Sequence, residues 1–114
     1  MPAHVLHLLD RLRDTDLTHV LSVALPEATL VHEAAHLQAD LARSGITPTA
    51  WVLNQSLAAA HPTDPVLGAR AAGEHRYLAE AATLTDRLVV LPRVVRSPVG
   101  AEQLRALTAA PVPA

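Results

Sequence analysis

The stretch from residue 18 to residue 57 constrains the fold most, because it has the pattern of a strand, a helix and a second strand. Residues 19–25 form a short apolar run, and Pro26 ends it because proline has no N–H for a sheet ladder. Residues 50–53 form a second apolar run, short and uninterrupted like a strand covered on both faces, and it leads into Asn54. The stretch therefore predicts a βαβ unit with Asn54 at the carboxyl end of its second strand.

The segment between these two runs predicts an amphipathic helix. Gly45 ends the helix, since glycine readily takes the left-handed conformation that follows a last helical turn. The apolar stripe recurs at helical spacing, on Leu30, Ala34, Leu37 and Leu41.

Cap and proline signals mark the other elements. Thr63-Asp64-Pro65 is typical of a helix start, and Ser97-Pro98 repeats the signal near the end of the chain. Pro92 closes a third apolar run. The predicted elements are a helix at 2–13, a helix from 65 to about 83, a strand at 87–91 and a last helix after Pro98, with a loose tail at 109–114. Residues 55–62 have no clear pattern.

Alternation of strands and helices predicts an α/β fold. We expect one domain, residues 1–114, in three layers, with a small parallel sheet of about three strands in βαβαβ order and flanking helices. Right-handed crossovers place the two connecting helices on one face and leave the other face to the first and last helices. Ligands of such sheets sit beyond the carboxyl ends of the strands. Three groups of residues are predicted to share that rim: Glu27, Asn54 with Gln55, and Pro92 with Arg93.

The first predicted strand is too apolar for a free sheet edge, since free edges usually carry charge or proline. A parallel sheet of this size also lacks neighbours that parallel strands normally have. We therefore expect either another part of a longer polypeptide or a second copy of the chain to pair with this edge.

Composition excludes several kinds of function. The chain has no cysteine, so it has no disulfide, thiolate metal site or thiol nucleophile. A net charge of −2 and only two aromatic side chains, Trp51 and Tyr77, argue against a nucleic-acid partner, which needs clustered positive charge and stacking platforms. No apolar run reaches the roughly 18 to 20 residues that span a bilayer, and a soluble, cytoplasmic protein is predicted.

The chain also lacks lysine, and all nine basic residues are arginine. A Walker-type phosphate loop needs a lysine on the phosphates. Gly68 and Gly73 have the glycine spacing of that loop, but Glu74 and His75 follow in place of lysine and Ser/Thr. These residues also fall in a predicted helix, so we interpret the two glycines as tolerated helix glycines.

His32-Glu33-Ala34-Ala35-His36 matches H-E-x-x-H, in which two histidines bind zinc and the glutamate acts as general base. A catalytic zinc needs a third protein ligand, and Ala39 and Ala42 stand where related peptidases have glycine and histidine. His32 and His36 also lie opposite the leucine stripe, on the face expected to meet water. A zinc peptidase with these two ligands remains an alternative, while a surface role is the simpler interpretation.

The segment VLSVALPEATLVHEAAHLQADLARSGITPTAWVLNQSL, with RLVVLPRVVRSPVGAEQLRAL further on, resembles the C-terminal part of the arsenite-pump ATPases. This family belongs with the deviant-Walker P-loop ATPases. The match extends over residues 6–108, and its most telling pieces are LPE, EAAxLQADL and GI-x-P-x-x-W before VLNQSL. The resemblance implies the C-terminal portion of a P-loop fold and a role in arsenic resistance.

The resemblance implies that only part of a nucleotide site is present. In the family the P-loop, switch segments, catalytic aspartate and metalloid-binding cysteines lie upstream of the matched portion, so no ATP hydrolysis is expected from this chain alone. By family position Asn54 reads adenine, as a side-chain amide can pair with both N6 and N7. Pro92, Arg93 and Val94 line the opposite wall, and Glu27 lies near the nucleotide or a subunit interface. Without the resemblance, Asn54 is explained as a turn former and Glu27 by the helix dipole.

The resemblance also implies cofactors and partners. Full-length members use ATP or ADP with Mg²⁺, and we expect neither to be bound to this chain alone. They act with a membrane arsenite permease, which holds them at the membrane periphery. The expected partner of this chain is the missing N-terminal part of the ATPase. The alternative is a free-standing dimerisation or interaction module that uses the open sheet edge.

Overall fold

The computed structural model describes residues 2–109 and confirms the predicted α/β class, with three parallel strands and flanking helices. The strands lie side by side in chain order: β1 (Leu21–Ala24), β2 (Ala50–Ser56) and β3 (Leu88–Pro92). The helices are α1 (Ala3–Arg13), α2 (Ala28–Arg43), α3 (Leu57–Ala60), α4 (Pro65–Leu84) and α5 (Gly100–Ala109). Of the predicted tail, residue 109 ends α5, and residues 110–114 lie outside the described residues.

Element boundaries differ from the prediction mainly around β2. The strand β1 is shorter than the apolar run that predicted it, whereas β2 continues past Asn54 to Ser56. The short helix α3 follows at once, in the stretch that had no clear pattern. Asn54 therefore lies within β2 near its carboxyl end, where a longer strand than expected connects directly to a helix.

Two capping signals, at Asp64 and Gly45, were predicted correctly because they depend on neighbouring residues, whereas Ser97-Pro98 does not start a helix, since α5 begins at Gly100. The Asp64 carboxylate accepts hydrogen bonds from the backbone N–H groups of Val66 and Leu67, at 2.8 and 3.1 Å, and so caps α4. Gly45 has a φ of +79°, and its N–H donates to the Ala42 carbonyl oxygen at 3.0 Å. The N–H of Ile46 donates to the Leu41 carbonyl oxygen at 2.9 Å, which completes a Schellman motif at the end of α2.

The core lies between one face of the sheet and helices α2 and α4. Strand register places Trp51 and Leu53 on this covered face, and both side chains are fully buried. Their buried neighbours are Ala24, Val31, Ala34 and Ala81. Most of these neighbours are small, and the indole of Trp51 is the largest fully buried side chain of the core.

The face that α2 turns to the core matches the predicted leucine stripe only in part, since Ala34 is buried as predicted but two leucines are not. Leu30 and Leu37 are 37% and 54% exposed, whereas Val31 is fully buried. Gln38, on the buried side, accepts a hydrogen bond from the Trp51 indole N–H at 2.6 Å and donates one to the Leu84 carbonyl oxygen at 2.9 Å. The rotation of the helix therefore follows the large indole and its hydrogen-bond partner, and two leucines remain on the surface.

The second face of the sheet is only partly covered. Leu21 and Val23 of β1 are 55% and 62% exposed, and Val89 of β3 is 43% exposed. Helix α5 lies near the carboxyl end of this face, where Leu107 and Asn54 line the same groove. Helix α1 buries none of its residues. The expectation that the first and last helices would cover this whole face is thus not met, and we call its exposed part the open face.

Gly68 and Gly73 lie inside α4, as interpreted from the sequence, and a Cβ added at either would meet no atom within 4 Å. Within residues 2–109, no helix combines the length and the hydropathy needed to cross a membrane.

Candidate functional site

A groove of about 510 Å³ opens beyond the carboxyl ends of β2 and β3, with α5 as one of its walls. It brings together the four residues predicted to contact adenine: Asn54, Pro92, Arg93 and Val94. The remaining lining is mostly apolar or small and consists of Gln55, Leu91, Val95, Ser97, Pro98, Leu104, Leu107 and Thr108. Residues far apart in sequence thus form one concave surface, at the rim where ligands of parallel sheets bind.

A β-bulge shapes the β2 side of this groove. Leu53 pairs with Val90, and Ser56 pairs with Pro92, so that two residues of β2 face a single residue of β3. The two residues of β2 that face this single residue are Asn54 and Gln55. Gln55 has a φ of +56°. Bulges commonly redirect a side chain next to a binding site.

The carboxamide of Asn54 takes part in this bulge. Its Oδ1 accepts a hydrogen bond from the Gln55 N–H at 2.9 Å, which fixes the orientation of the amide. The side chain is half-buried and lines the groove. This contact is the turn-forming role expected of asparagine, and it leaves the two N–H groups of Nδ2 and one oxygen lone pair for another partner. The structural role and a ligand-binding role are therefore compatible at this position.

A backbone hydrogen bond holds the opposite wall of the groove, residues 92–94, against β2. The N–H of Arg93 donates to the Ser56 carbonyl oxygen at 3.0 Å, so the chain remains tied to β2 just after β3 ends. Pro92 is half-buried, whereas Arg93 and Val94 are exposed. The wall therefore offers a proline ring and a valine side chain, with a guanidinium group at its edge.

The structure does not bring Glu27 into this groove. Glu27 is the residue before α2, its carboxylate makes no capping hydrogen bond, and it lines a separate cavity of about 290 Å³ with Pro26, Arg70 and Tyr77. Only two of the three groups predicted to share the rim therefore line a common groove. The position of Glu27 at the N-terminus of α2 agrees with the helix-dipole explanation.

Sequence reasoning missed Glu74, which it treated only as a mismatch to a phosphate loop. This carboxylate is 8% exposed and accepts three hydrogen bonds: from Ser56 Oγ at 2.8 Å, from the N–H of Leu57 at 3.0 Å and from the N–H of Ala58 at 3.1 Å. It thereby holds the start of α3 and the end of β2. A signal was available, because Glu74 shares helical spacing with Ala71 and with Ala81 on the apolar side of α4.

The H-E-x-x-H motif does not assemble a metal centre with a third ligand. His32 Nε2 lies 2.9 Å from Glu80 Oε1 of α4, and both side chains are about half exposed. Across residues 2–109, no group of three or more His, Cys, Asp or Glu side chains is placed to hold a metal ion. His36 is exposed, as expected for the water-facing side of α2.

The groove suits a base better than a triphosphate. Its volume lies within the range of about 300 to 1,000 Å³ that is typical of ligand pockets. Asn54 offers paired donor and acceptor groups, and the apolar walls suit the faces of a ring. Among residues 2–109, Arg93 is the only cationic side chain in the lining, and no carboxylate that could bind Mg²⁺ lines the groove. The residues present fit adenine, whereas phosphates and Mg²⁺ need further groups.

Comparison with known proteins bears on this interpretation. No family model matches the chain. It is 44% identical over 98 residues to an arsenical pump-driving ATPase of Acidiphilium multivorum, and 41% and 40% identical to two arsenical pump-driving ATPases of Escherichia coli. The matches cover 84 to 85% of this chain but 17% of each relative's length. The resemblance seen in the sequence is thus confirmed, since this chain is similar to a segment of these arsenical pump-driving ATPases.

Proposed function

We propose that the chain is the C-terminal segment of an arsenite-pump ATPase and supplies the adenine side of its nucleotide site. One observation carries this proposal: Asn54, Pro92, Arg93 and Val94 line a single groove at the carboxyl ends of β2 and β3. The relatives named as arsenical pump-driving ATPases support the kind of protein, since their sequences match most of this chain.

The chemistry of the groove favours a purine ring. The free N–H groups and lone pair of the Asn54 amide can pair with the N7 and N6 edge of adenine. Leu91, Pro92 and Val94 offer apolar surface to the faces of the ring. Such a site orients a base through a few polar groups set in apolar walls, as small-molecule sites generally do.

The same chain is not expected to hydrolyse ATP by itself. It has no lysine to bind the β- and γ-phosphates and no cysteine to bind a metalloid. In this proposal the phosphate-binding and catalytic groups come from the rest of the ATPase, which acts on ATP with Mg²⁺ at the membrane permease. Purified chain should therefore show no ATP turnover, with or without arsenite.

The surface of the chain indicates where the rest of the ATPase would attach. The chain exposes 8139 Å² of surface, compared with about 6,000 Å² for a folded monomer of its mass. No strand of the described part of the chain pairs with the outer edge of β1, and β1 carries neither charge nor proline. Its Leu21 and Val23 side chains lie on the open face. The other edge strand, β3, ends in Pro92 and is flanked by Arg87 and Arg93. The edge of β1 is therefore the better site for a further strand.

Truncation of Asn54 tests the base contact. We expect Asn54→Ala to weaken adenosine binding about tenfold, because a bidentate amide–base pair contributes roughly 1 to 3 kcal/mol of discrimination. The measurement is a titration of the isotope-labelled chain followed by NMR. His36→Ala, on the exposed side of α2, is the control and should bind as the unaltered chain does. Equal affinities of both variants for adenosine would contradict the role of Asn54.

A second candidate function, dimerisation through the β1 edge, is supported by the same exposed strand. A second copy pairing there would bring its own apolar side chains beside Leu21 and Val23, so light scattering should show dimers at high concentration that Val23→Lys abolishes. Val66→Lys, at a similarly exposed valine of α4, is the matched control and should leave the dimer intact. A strictly monomeric chain at every concentration would exclude this second function.

A further inference from the structure

The bulge in β2 places Asn54 and Ser56, which are two positions apart, on opposite faces of the sheet. Trp51 and Leu53 face the core, and regular alternation would put the residue two positions after Asn54 on the same open side as Asn54. Ser56 is instead fully buried, and its Oγ donates a hydrogen bond to Glu74 on the core side. The extra residue of the bulge therefore allows Asn54 to line the groove while Ser56 reaches Glu74.

Gln55 takes the backbone conformation that makes this possible. Its φ of +56° is in the left-handed region, which is unfavourable for residues with a side chain by roughly a 5- to 30-fold population factor. The described residues include one other non-glycine residue at positive φ, His61 with 51°, which ends α3 as left-handed residues commonly do. Gln55 instead lies inside a strand, beside the predicted base-reading residue. Strain of this kind persists only where the surroundings enforce it.

The surroundings of Gln55 explain how the conformation is enforced. On one side its N–H is bound by Asn54 Oδ1 at 2.9 Å. On the other side Ser56 is fixed by Glu74 through its hydroxyl and by Arg93, whose N–H binds the Ser56 carbonyl oxygen at 3.0 Å. Asn54 stays in register with β3 through Leu53, and Ser56 is tied to Glu74 and Arg93, so Gln55 has to absorb the change of direction between them.

We propose that Gln55 is a positioning residue for the groove. Its N–H holds the Asn54 carboxamide in orientation, and its left-handed backbone lets Ser56 reach Glu74 while Asn54 stays on the groove side. The identity of the ligand as a purine base rests on the proposed function. The positioning of Asn54 by Gln55 is a property of the chain itself and can be tested without any ligand.

Substitutions at Gln55 separate backbone conformation from side-chain chemistry. Gln55→Gly accepts a positive φ readily and should leave the Asn54 side chain in place. Gln55→Val disfavours positive φ strongly because its side chain is β-branched, so the bulge should rearrange and release the Asn54 amide. His61→Gly and His61→Val make the same changes at the other left-handed residue, away from the groove lining, and should leave Asn54 unaffected.

The test is NMR of the labelled chain, in which the Asn54 side-chain amide is easily assigned because the chain has no other asparagine. We expect Gln55→Val, but neither Gln55→Gly nor the His61 variants, to shift this amide and to weaken adenosine binding about tenfold. In the unaltered chain, the HN–Hα coupling and carbon shifts of Gln55 should report the positive φ without any variant. An extended Gln55, or an Asn54 amide unmoved in Gln55→Val, would overturn the proposal. If the unaltered chain binds no adenosine, the base-site proposal fails, and the amide shift alone decides the positioning role.

Discussion

Trp51→Ala is expected to destabilise the chain by about 3 to 5 kcal/mol, the usual loss for removing a buried tryptophan. The side chain is 0% exposed and occupies the centre of a core whose other members are mostly small. Its loss also leaves Gln38 Oε1 without the indole N–H that it binds at 2.6 Å. Because single domains are stable by only about 5 to 15 kcal/mol, this one substitution removes a large share of the total.

The free energy of unfolding is measured by urea titration with circular dichroism as the probe. Tryptophan fluorescence cannot serve, because the substitution removes the only tryptophan. Trp51→Phe is the informative comparison, because it keeps most of the apolar volume but loses the indole N–H and part of the ring, and it should cost about 1 to 3 kcal/mol. Val66→Ala, at a valine that is 70% exposed, should change the free energy of unfolding by less than about 0.5 kcal/mol. Equal effects of Trp51→Ala and Val66→Ala would contradict the position of the core.

Glu74→Ala is the second large effect, with an expected loss of about 3 kcal/mol or more. The carboxylate accepts hydrogen bonds from Ser56 Oγ and from the N–H groups of Leu57 and Ala58, and these donors become unsatisfied in a largely buried place. Each unsatisfied buried donor costs roughly 1 to 3 kcal/mol. The loss also loosens the end of β2, so the NMR signals of Asn54 should broaden or shift together with those of α3.

The matched control for Glu74→Ala is Glu80→Ala on the same helix. Glu80 is about two-fifths exposed and pairs with His32 at 2.9 Å, and such solvent-exposed pairs contribute at most about 1 kcal/mol. Glu74→Gln keeps the shape of the side chain but turns an N–H₂ group toward a backbone donor, so its effect should lie between the other two. If Glu74→Ala and Glu80→Ala destabilise the chain equally, the assigned role of Glu74 is wrong.

The parts of the fold that could be predicted from the sequence are those fixed by near neighbours. The Asp64 cap, the left-handed Gly45 and the apolar strands depend on a few adjacent residues, and the structure has all of them. The rotation of α2 was predicted wrongly, because it depends on Trp51, which is distant in sequence and needs Gln38 as its partner. Leu37 is therefore exposed although it is part of the most regular apolar stripe.

The candidate site, like the fold, could be predicted from the sequence only in part. Asn54 could be placed near the end of a strand from the sequence, but its proposed function came from the resemblance, since asparagine there is equally explained as a turn former. The bulge at Gln55 could not be derived from local patterns, because it depends on contacts across the fold. The helical spacing of Glu74 with Ala71 and Ala81 signalled its burial, but its hydrogen-bond partners could not be derived from that spacing. The predicted topology correctly placed Glu27 just after the carboxyl end of β1, yet Glu27 lines a different cavity from Asn54.

The most direct test compares adenosine, ATP and inorganic triphosphate as ligands of the isotope-labelled chain. No nucleotide is expected to stay bound to this chain alone, but if the chain offers a binding surface for the purine only, adenosine and ATP added in large excess should bind weakly and reversibly. Both should shift the same resonances, at Asn54, Arg93 and Val94, with affinities within about tenfold of each other. Inorganic triphosphate should shift none of them, because the chain has no lysine and the groove has a single cationic side chain. Binding of triphosphate without the base, or shifts by adenosine at residues remote from this groove, would contradict the account.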